Sequence, residues 1–396
     1  MKSRISEKIF ILIYLINFIA TPSCLAFFPS FSKFFNKKPT VLSFNTERPR
    51  LDEYENILGY KNKEYLLLYG YKKVWLADMN GKSIREWDTS IKRAQLLPSC
   101  NLMVIDDHEN SIIAKKNYNG EILWEYQAPG ITHHDFEFSD KGTLSFFYRT
   151  SVPDDIKLTN LCSNDEVIAD AIIEINKSGE KKFEWFFHEH YETELNADKC
   201  TEARREWLAK SNFAPNLLDW MHPNSLNILK NNKWYKKGYQ EFTPGNIIIT
   251  SHHLNMVFII NKADGKTVWI YKGNDINLDG PHEAKMIPEG YPGAGNILIF
   301  DNGVSRKYSR ILEINPITKK TIWSYSSPIN FYNKWAGSQQ RLKNGDTFIS
   351  DDNSGRAFIV NKKGKIKWQF LTPDGEETKR SKLYLKKDFA HCLSEL

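Results

Sequence analysis

Ten histidines punctuate this chain of 396 residues, at positions 108, 133, 134, 188, 190, 222, 252, 253, 282 and 391. Six of them lie beside short apolar runs: His133 and His134 in ITHHDFEF, His222 in DWMHPNSLNIL, His252 and His253 in IIITSHHLN, and His282 in GPHEAKMI. Asp135, Asn224 and Glu283 stand within two residues of them. Neutral imidazoles gathered in one place support two kinds of chemistry. They hold a divalent ion, or one attacks as a nucleophile while its neighbours donate to a developing anion. For each histidine alone, the plain alternative is a hydrogen-bonded structural residue at the start of a strand. The chain has no GxSxG elbow, no GxxxxGK[ST] loop and no CxxC, so a serine hydrolase of that type, a phosphate loop and a zinc ribbon are unsupported.

Residues so far apart need a fold that returns repeatedly to one place. From about residue 55 the chain repeats a unit of three or four short strands separated by Asn, Asp, Gly and Lys turns, seen in GSQQRLKNGDTFISDDNSGRAFIVNKKGKIKWQF. Six such units end on Trp87, Trp124, Trp185, Trp269, Trp323 and Trp368, with shortest spacings of 37 and 45 residues. A repeat of roughly 40 residues built from short strands predicts propeller blades, and ring closure removes the exposed sheet edges that a solenoid leaves. The expected fold is therefore all-β, a six-bladed β-propeller over residues 51–372, with a helical insertion between blades three and four over about residues 194–220, where NADKCTEARREWLAKSNF has helical periodicity. All six tryptophans are assigned to packing between blades. His133 and His134 would open blade three, His222 blade four and His282 blade five, with His252 and His253 after the inner strand of blade four. The odd spacings from His133 to Phe138, His222 to Leu229 and His282 to Ile287 predict that these histidines project from the same side of their strands.

Hydrophobic residues make up 41 % and charged residues 26 %, a globular composition. The net charge of +6 comes from scattered lysines with no dense basic stripe, so nucleic acid is not an expected partner. Lys2, Arg4 and Lys8 precede the apolar run Ile9–Ala20, and Cys24-Leu25-Ala26 offers a cleavage site, which reads residues 1–26 as an export signal. An uncleaved membrane anchor over residues 9–28 and a lipidated Cys24 are the alternatives; each carries the following chain across a membrane, to a periplasmic or extracellular location. Residues 27–50 read as a linker and 373–396 as a charged tail, either covering an edge strand or loose. Of the four cysteines beyond residue 26, Cys162 and Cys200 are the expected disulfide pair.

The ordered series DMNGKSIREW, HHDF, DWMHPNSL, SHHLNMVFIINKADG, PHEAKM with FDNG, SRILEI, and GSQQRLKNGDTF with SGRAF resembles the arylsulfotransferase family, the PAPS-independent aryl-sulfate sulfotransferases and their relatives, over about residues 60–372. The resemblance implies a six-bladed propeller that moves a sulfuryl group from a phenolic sulfate ester to a phenol through a sulfohistidine, without cofactor or metal. It implies His282 as nucleophile, His222 as a second essential histidine, and His133 or His134 as a third. Where the family has an arginine this chain has His252 after Ser251, and a planar, permanently charged guanidinium is lost. Arg306 or Arg310 would compensate from the next blade, Asn224 would sit with the substrate, and Phe331, Tyr332 and Trp335 would wall a phenol. Two other readings are weighed beside this one. The first is a propeller without this catalysis that uses the channel mouth to bind a ligand, a partner protein or a divalent ion. The second, a quinone dehydrogenase, is disfavoured by six units in place of eight and by the lack of an adjacent cysteine pair.

Overall fold

In the computed structural model the described residues are 63–70, 73–89, 91–106, 111–153, 166–191, 195, 217–372 and 376–393. They form six antiparallel sheets in chain order. Blade one contains β1 (Glu64–Tyr69), β2 (Lys73–Asp78) and β3 (Ser83–Asp88). Blade two contains β4 (Ile91–Leu96), β5 (Leu102–Asp106), β6 (Ile112–Lys116) and β7 (Ile122–Gln127). Blade three contains β8 (Thr132–Phe138), β9 (Leu144–Ser151), β10 (Glu166–Ile175) and β11 (Lys181–Phe186), with β12 (Leu217–Asp219) added parallel to β10. Blade four runs from β13 (Pro223–Ile228) through β14 (Ile247–Ser251) and β15 (Met256–Ile260) to β16 (Thr267–Tyr271). Blade five comprises β17 (Pro281–Met286), β18 (Ile297–Asp301), β19 (Arg310–Ile314) and β20 (Thr321–Ser326). Blade six comprises β21 (Ser338–Arg341), β22 (Thr347–Asp351), β23 (Arg356–Val360) and β24 (Ile366–Leu371).

The ring is closed by β25 (Lys382–Leu385), which pairs antiparallel with β1 and becomes the innermost strand of blade one. The charged C-terminal segment thus covers an edge strand: it pairs along β1 and supplies the fourth strand of blade one. Cys100 and Cys392 form a disulfide across 292 residues, with Cα atoms 6.3 Å apart, tying the helical turn α2 (Ala390–Leu393) to blade two. The expected Cys162–Cys200 pair lies outside the described residues. So does most of the expected helical insertion over residues 194–220; its last described residues, Leu217–Asp219, are a strand. The described α-helical turns lie elsewhere, at α1 (Lys233–Lys236) and α2.

Period-2 alternation on strands packed on both faces leaves large side chains between blades, and six apolar clusters fill the six gaps. The six expected tryptophans all sit on outermost strands. Four also donate their indole N–H to a carbonyl of the next blade: Trp185 to Gly265, Trp269 to Pro316, Trp323 to Lys362 and Trp368 to Met79, at 2.7–2.9 Å. Each of these four tryptophans is thus both filler and latch.

Candidate active site

The innermost strands of four blades carry a bulge at the same end of the ring. The register shifts between Ile91 and Arg93, His133 and Phe136, Pro223 and Ser225, and Pro281 and Glu283. The residues left unpaired include His134, Asp135, Asn224 and His282. A bulge re-aims side chains and is common beside functional sites. His134 (φ 53°) and His222 (φ 48°) pay for this placement with left-handed backbone, which is costly for a residue with a Cβ. The odd-spacing rule for histidine direction therefore fails here, because each strand breaks its alternation between the histidine and the apolar residue counted to. His252 and His253 follow β14, the second strand of blade four and not its innermost one; their turn returns to the same mouth.

Between them, the bulges and this turn bring six imidazoles together. Ring centroids of His134 and His222 are 4.6 Å apart, His222 and His253 4.7 Å, His252 and His282 5.7 Å, His222 and His252 5.8 Å, and His134 and His282 6.4 Å. His134 rather than His133 faces the others. His133 stacks on Phe147 inside blade three and reaches the cluster through a 2.8 Å contact between the two Nδ1 atoms. His133, His252, His253 and His282 are buried, while His134 and His222 are partly exposed at the mouth.

The rings are oriented through their Nδ1 edges. His222 Nδ1 donates to Asp219 Oδ2 at 2.5 Å, and His253 Nδ1 donates to the Asp219 carbonyl at 2.5 Å. His282 Nδ1 lies 3.1 Å from the Asn224 amide nitrogen and 3.3 Å from the Ala336 nitrogen. Donation through Nδ1 leaves the Nε2 of His222 and His253 toward their neighbours, whereas His282 Nδ1 accepts from two N–H groups and keeps its proton on Nε2. Burial holds His133, His134, His252 and His282 well below the ordinary histidine range; for His282 the charge of Arg380 adds to this, while a hydrogen bond to Asn302 opposes it. Burial also works against a charge on His222, yet the Asp219 carboxylate beside it raises this one. Asp219 is in turn held low against the effect of its own burial, chiefly by His222. Burial thus favours the neutral form of four imidazoles, while the carboxylate beside His222 favours its charged form.

Beneath the histidines lies a second charged layer. Asp135 is 2.8 Å from Arg93 Nε and 2.9 Å from Arg380 Nη1, and all three are buried. Arg380 also donates to the carbonyls of Asn224 and His282. This arginine enters the site from the C-terminal segment, and nothing in its local sequence signals the role. Arg306 and Arg310 are instead spent on Asp301: Arg306 Nη1 is 3.0 Å and Arg310 Nε 2.8 Å from its Oδ2, and Arg306 also donates to the Asp301 and Tyr308 carbonyls. Phe331 is buried in the core between blades five and six and cannot wall a ligand. Trp335 is exposed, next to Ala336 and hence close to His282, and Tyr332 is partly buried. Asp219 was visible in the sequence only as the acid three residues before His222; Asp170, whose Oδ1 is 3.1 Å from His133 Nε2, carried no signal.

Asp219, His222 and His253 each place a donor atom within 4.8 Å of the others, a spacing compatible with a metal ion. Among the described residues no helix is long and apolar enough to cross a membrane, and residues 9–28 lie outside them.

A chain of unknown function from Bacteroides caccae superposes with a TM-score of 0.52 at 12 % identity, covering 81 % of this chain and 98 % of that one. Virginiamycin B lyase from Staphylococcus aureus superposes with a TM-score of 0.42 at 13 % identity, covering 80 % and 78 %. At 12 % identity the first of these likenesses is one of fold alone. A search of curated proteins gives no match. The family model for arylsulfotransferase (ASST) matches residues 93–372, well over half of the chain and all the histidines of the cluster, and the protein therefore belongs to the arylsulfotransferase family.

Proposed function

We propose that this protein transfers a sulfuryl group from an aryl sulfate to a phenol through a sulfohistidine on His282, in a compartment outside the cytoplasm. The observation that carries the reading is the gathering of His134, His222, His252 and His282 at one mouth, with the Nδ1 edge of His282 tied back at 3.1 Å to Asn224. Donation from the Asn224 amide and the Ala336 N–H to Nδ1 puts the resting proton of His282 on Nε2, and a neighbouring histidine takes it to free the Nε2 lone pair. That nitrogen attacks sulfur, the S–O bond to the donor phenol breaks, and a neighbouring histidine gives the departing phenolate its proton. The acceptor phenol then loses its proton to that histidine and attacks sulfur, and the N–S bond breaks. Sulfuryl oxygens gain charge as the bonds exchange, and positive charge on the His222 side of the cluster stabilises them. On this reading Trp335 and Tyr332 supply the walls for the aromatic ring. The Cys100–Cys392 disulfide supports export, since disulfides persist in oxidising compartments.

The test is single turnover with a labelled aryl sulfate. Label retained on the protein at His282, released by added phenol, supports the reading. A folded wild-type protein that binds aryl sulfates but never acquires label leaves the mouth as a binding site and ends the catalytic proposal.

A further inference from the structure

The neighbourhood of Asp219 holds more buried carboxyl oxygens than its hydrogen-bond donors satisfy. Asp219 and Asp170 both lie in the wall of the histidine cluster, and both are buried. Asp219 Oδ1 and Asp170 Oδ2 are buried oxygens without a hydrogen-bond partner, although Asp219 Oδ1 lies 4.0 Å from His253 Nδ1. The nearest guanidinium, Arg149 Nη2, stays 3.7 Å from Asp219 Oδ2 and its side chain is about one-third exposed. Buried carboxylate oxygens left unpaired are costly, and a cation offsets that cost. The stacked rings of His222 and His253 flank the same carboxylate at 2.5 Å and 4.0 Å.

We infer that Asp219, His222 and His253 form a two-histidine, one-carboxylate site for a divalent transition-metal ion. The ion takes the place of the proton held between Asp219 and His222, so that binding releases a proton to solvent. Two imidazoles and one carboxylate favour Zn²⁺, Co²⁺ or Ni²⁺ over the oxygen-seeking Mg²⁺ and Ca²⁺. Three protein ligands leave a coordination position open, and the rings of His134 and His252 have centroids 4.6 Å and 5.8 Å from His222. A fixed double charge there does what the family arginine does elsewhere: it grips sulfuryl oxygens whatever the pH. This role rests on the sulfuryl-transfer reading; the ion site itself does not.

The experiment is a Co²⁺ titration of chelator-treated full-length protein, read by visible d–d absorption and by proton release, with Zn²⁺ as competitor. One equivalent is expected to bind with a tetrahedral or five-coordinate spectrum that Zn²⁺ erases. H253A and D219N, checked for unchanged circular dichroism, are each expected to weaken binding by at least about ten-fold. R149Q, which removes the competing cation beside Asp219 and replaces no proposed ligand, is expected to tighten it. A folded wild-type protein with no saturable Co²⁺ spectrum, or H253A and D219N variants that bind as well as wild type, overturns the site. Label on His282 without metal binding leaves sulfuryl transfer standing and removes the ion; metal binding without label does the reverse.

Discussion

Arg380 Nη1 stands 2.9 Å from Asp135 Oδ2, so a residue of the C-terminal segment is bolted to the His-His-Asp motif of blade three. Arg93 closes the other side of the same carboxylate at 2.8 Å. A carboxylate held by two buried guanidiniums thus links blade two, blade three and the segment that leads into β25. Replacing Arg380 by Gln leaves Asp135 with one cation and frees the carbonyls of Asn224 and His282. The expected loss is about 2–4 kcal/mol, seen as a lower urea midpoint, because breaking a buried ion pair strands the remaining charge.

The disulfide acts on the same closure. Cys392→Ser opens a loop of 292 residues and is expected to destabilise the chain by about 2–4 kcal/mol. Wild-type protein in reducing agent should then melt at the temperature of the variant; no difference between oxidised and reduced protein would refute the clasp.

Gly280 controls the seat of His252. Its backbone has φ +66°, and a Cβ there would lie 2.9 Å from His252 Nε2 and 2.7 Å from Val304 Cγ2. Gly280→Ala is expected to cost about 1–2 kcal/mol through the left-handed backbone and to displace His252. Transfer from an aryl sulfate should fall on the order of ten-fold or more, since small misplacements in a reacting cluster are expensive. An unchanged turnover would place His252 outside the working set.

Asp351 sets a pH limit on stability. Burial pushes its carboxyl up to about 7, against the pull of Arg356. A carboxyl whose folded value exceeds its unfolded one favours the fold at low pH, and that contribution is lost as pH rises through about 7. Asp352 next to it, also pushed up by burial, to about 6, has the same sign. Melting temperature should therefore drop between pH 5 and pH 8, and Asp351→Asn should flatten the drop. A variant that melts with the wild-type pH dependence would exclude Asp351 as its source.

Much of the ring could be read from residues alone. Six tryptophans at blade-like spacing placed six outermost strands, because a large aromatic at the end of each hairpin set has no other use than filling a blade gap. The histidine motifs were equally plain, and their order along the chain marked blades three, four and five. The direction of each histidine was not readable. A period-2 count assumes an unbroken strand, and the bulges at His133–Phe136, Pro223–Ser225 and Pro281–Glu283 break it where the chemistry sits. Arg306 and Arg310 had the right charge and the right blade, but Asp301 consumes both.

Local pattern determined what this sequence becomes: short alternating strands, tight polar turns, and histidines at the head of particular hairpins. Those are properties of neighbours in the chain, and propensity and periodicity report them. Closure decided the rest. Only when β25 pairs with β1 does Arg380 arrive at Asp135, and only with blades three, four and five packed together do His134, His222 and His282 meet. Contacts between groups hundreds of residues apart depend on the sum of every turn between them, which no local pattern encodes.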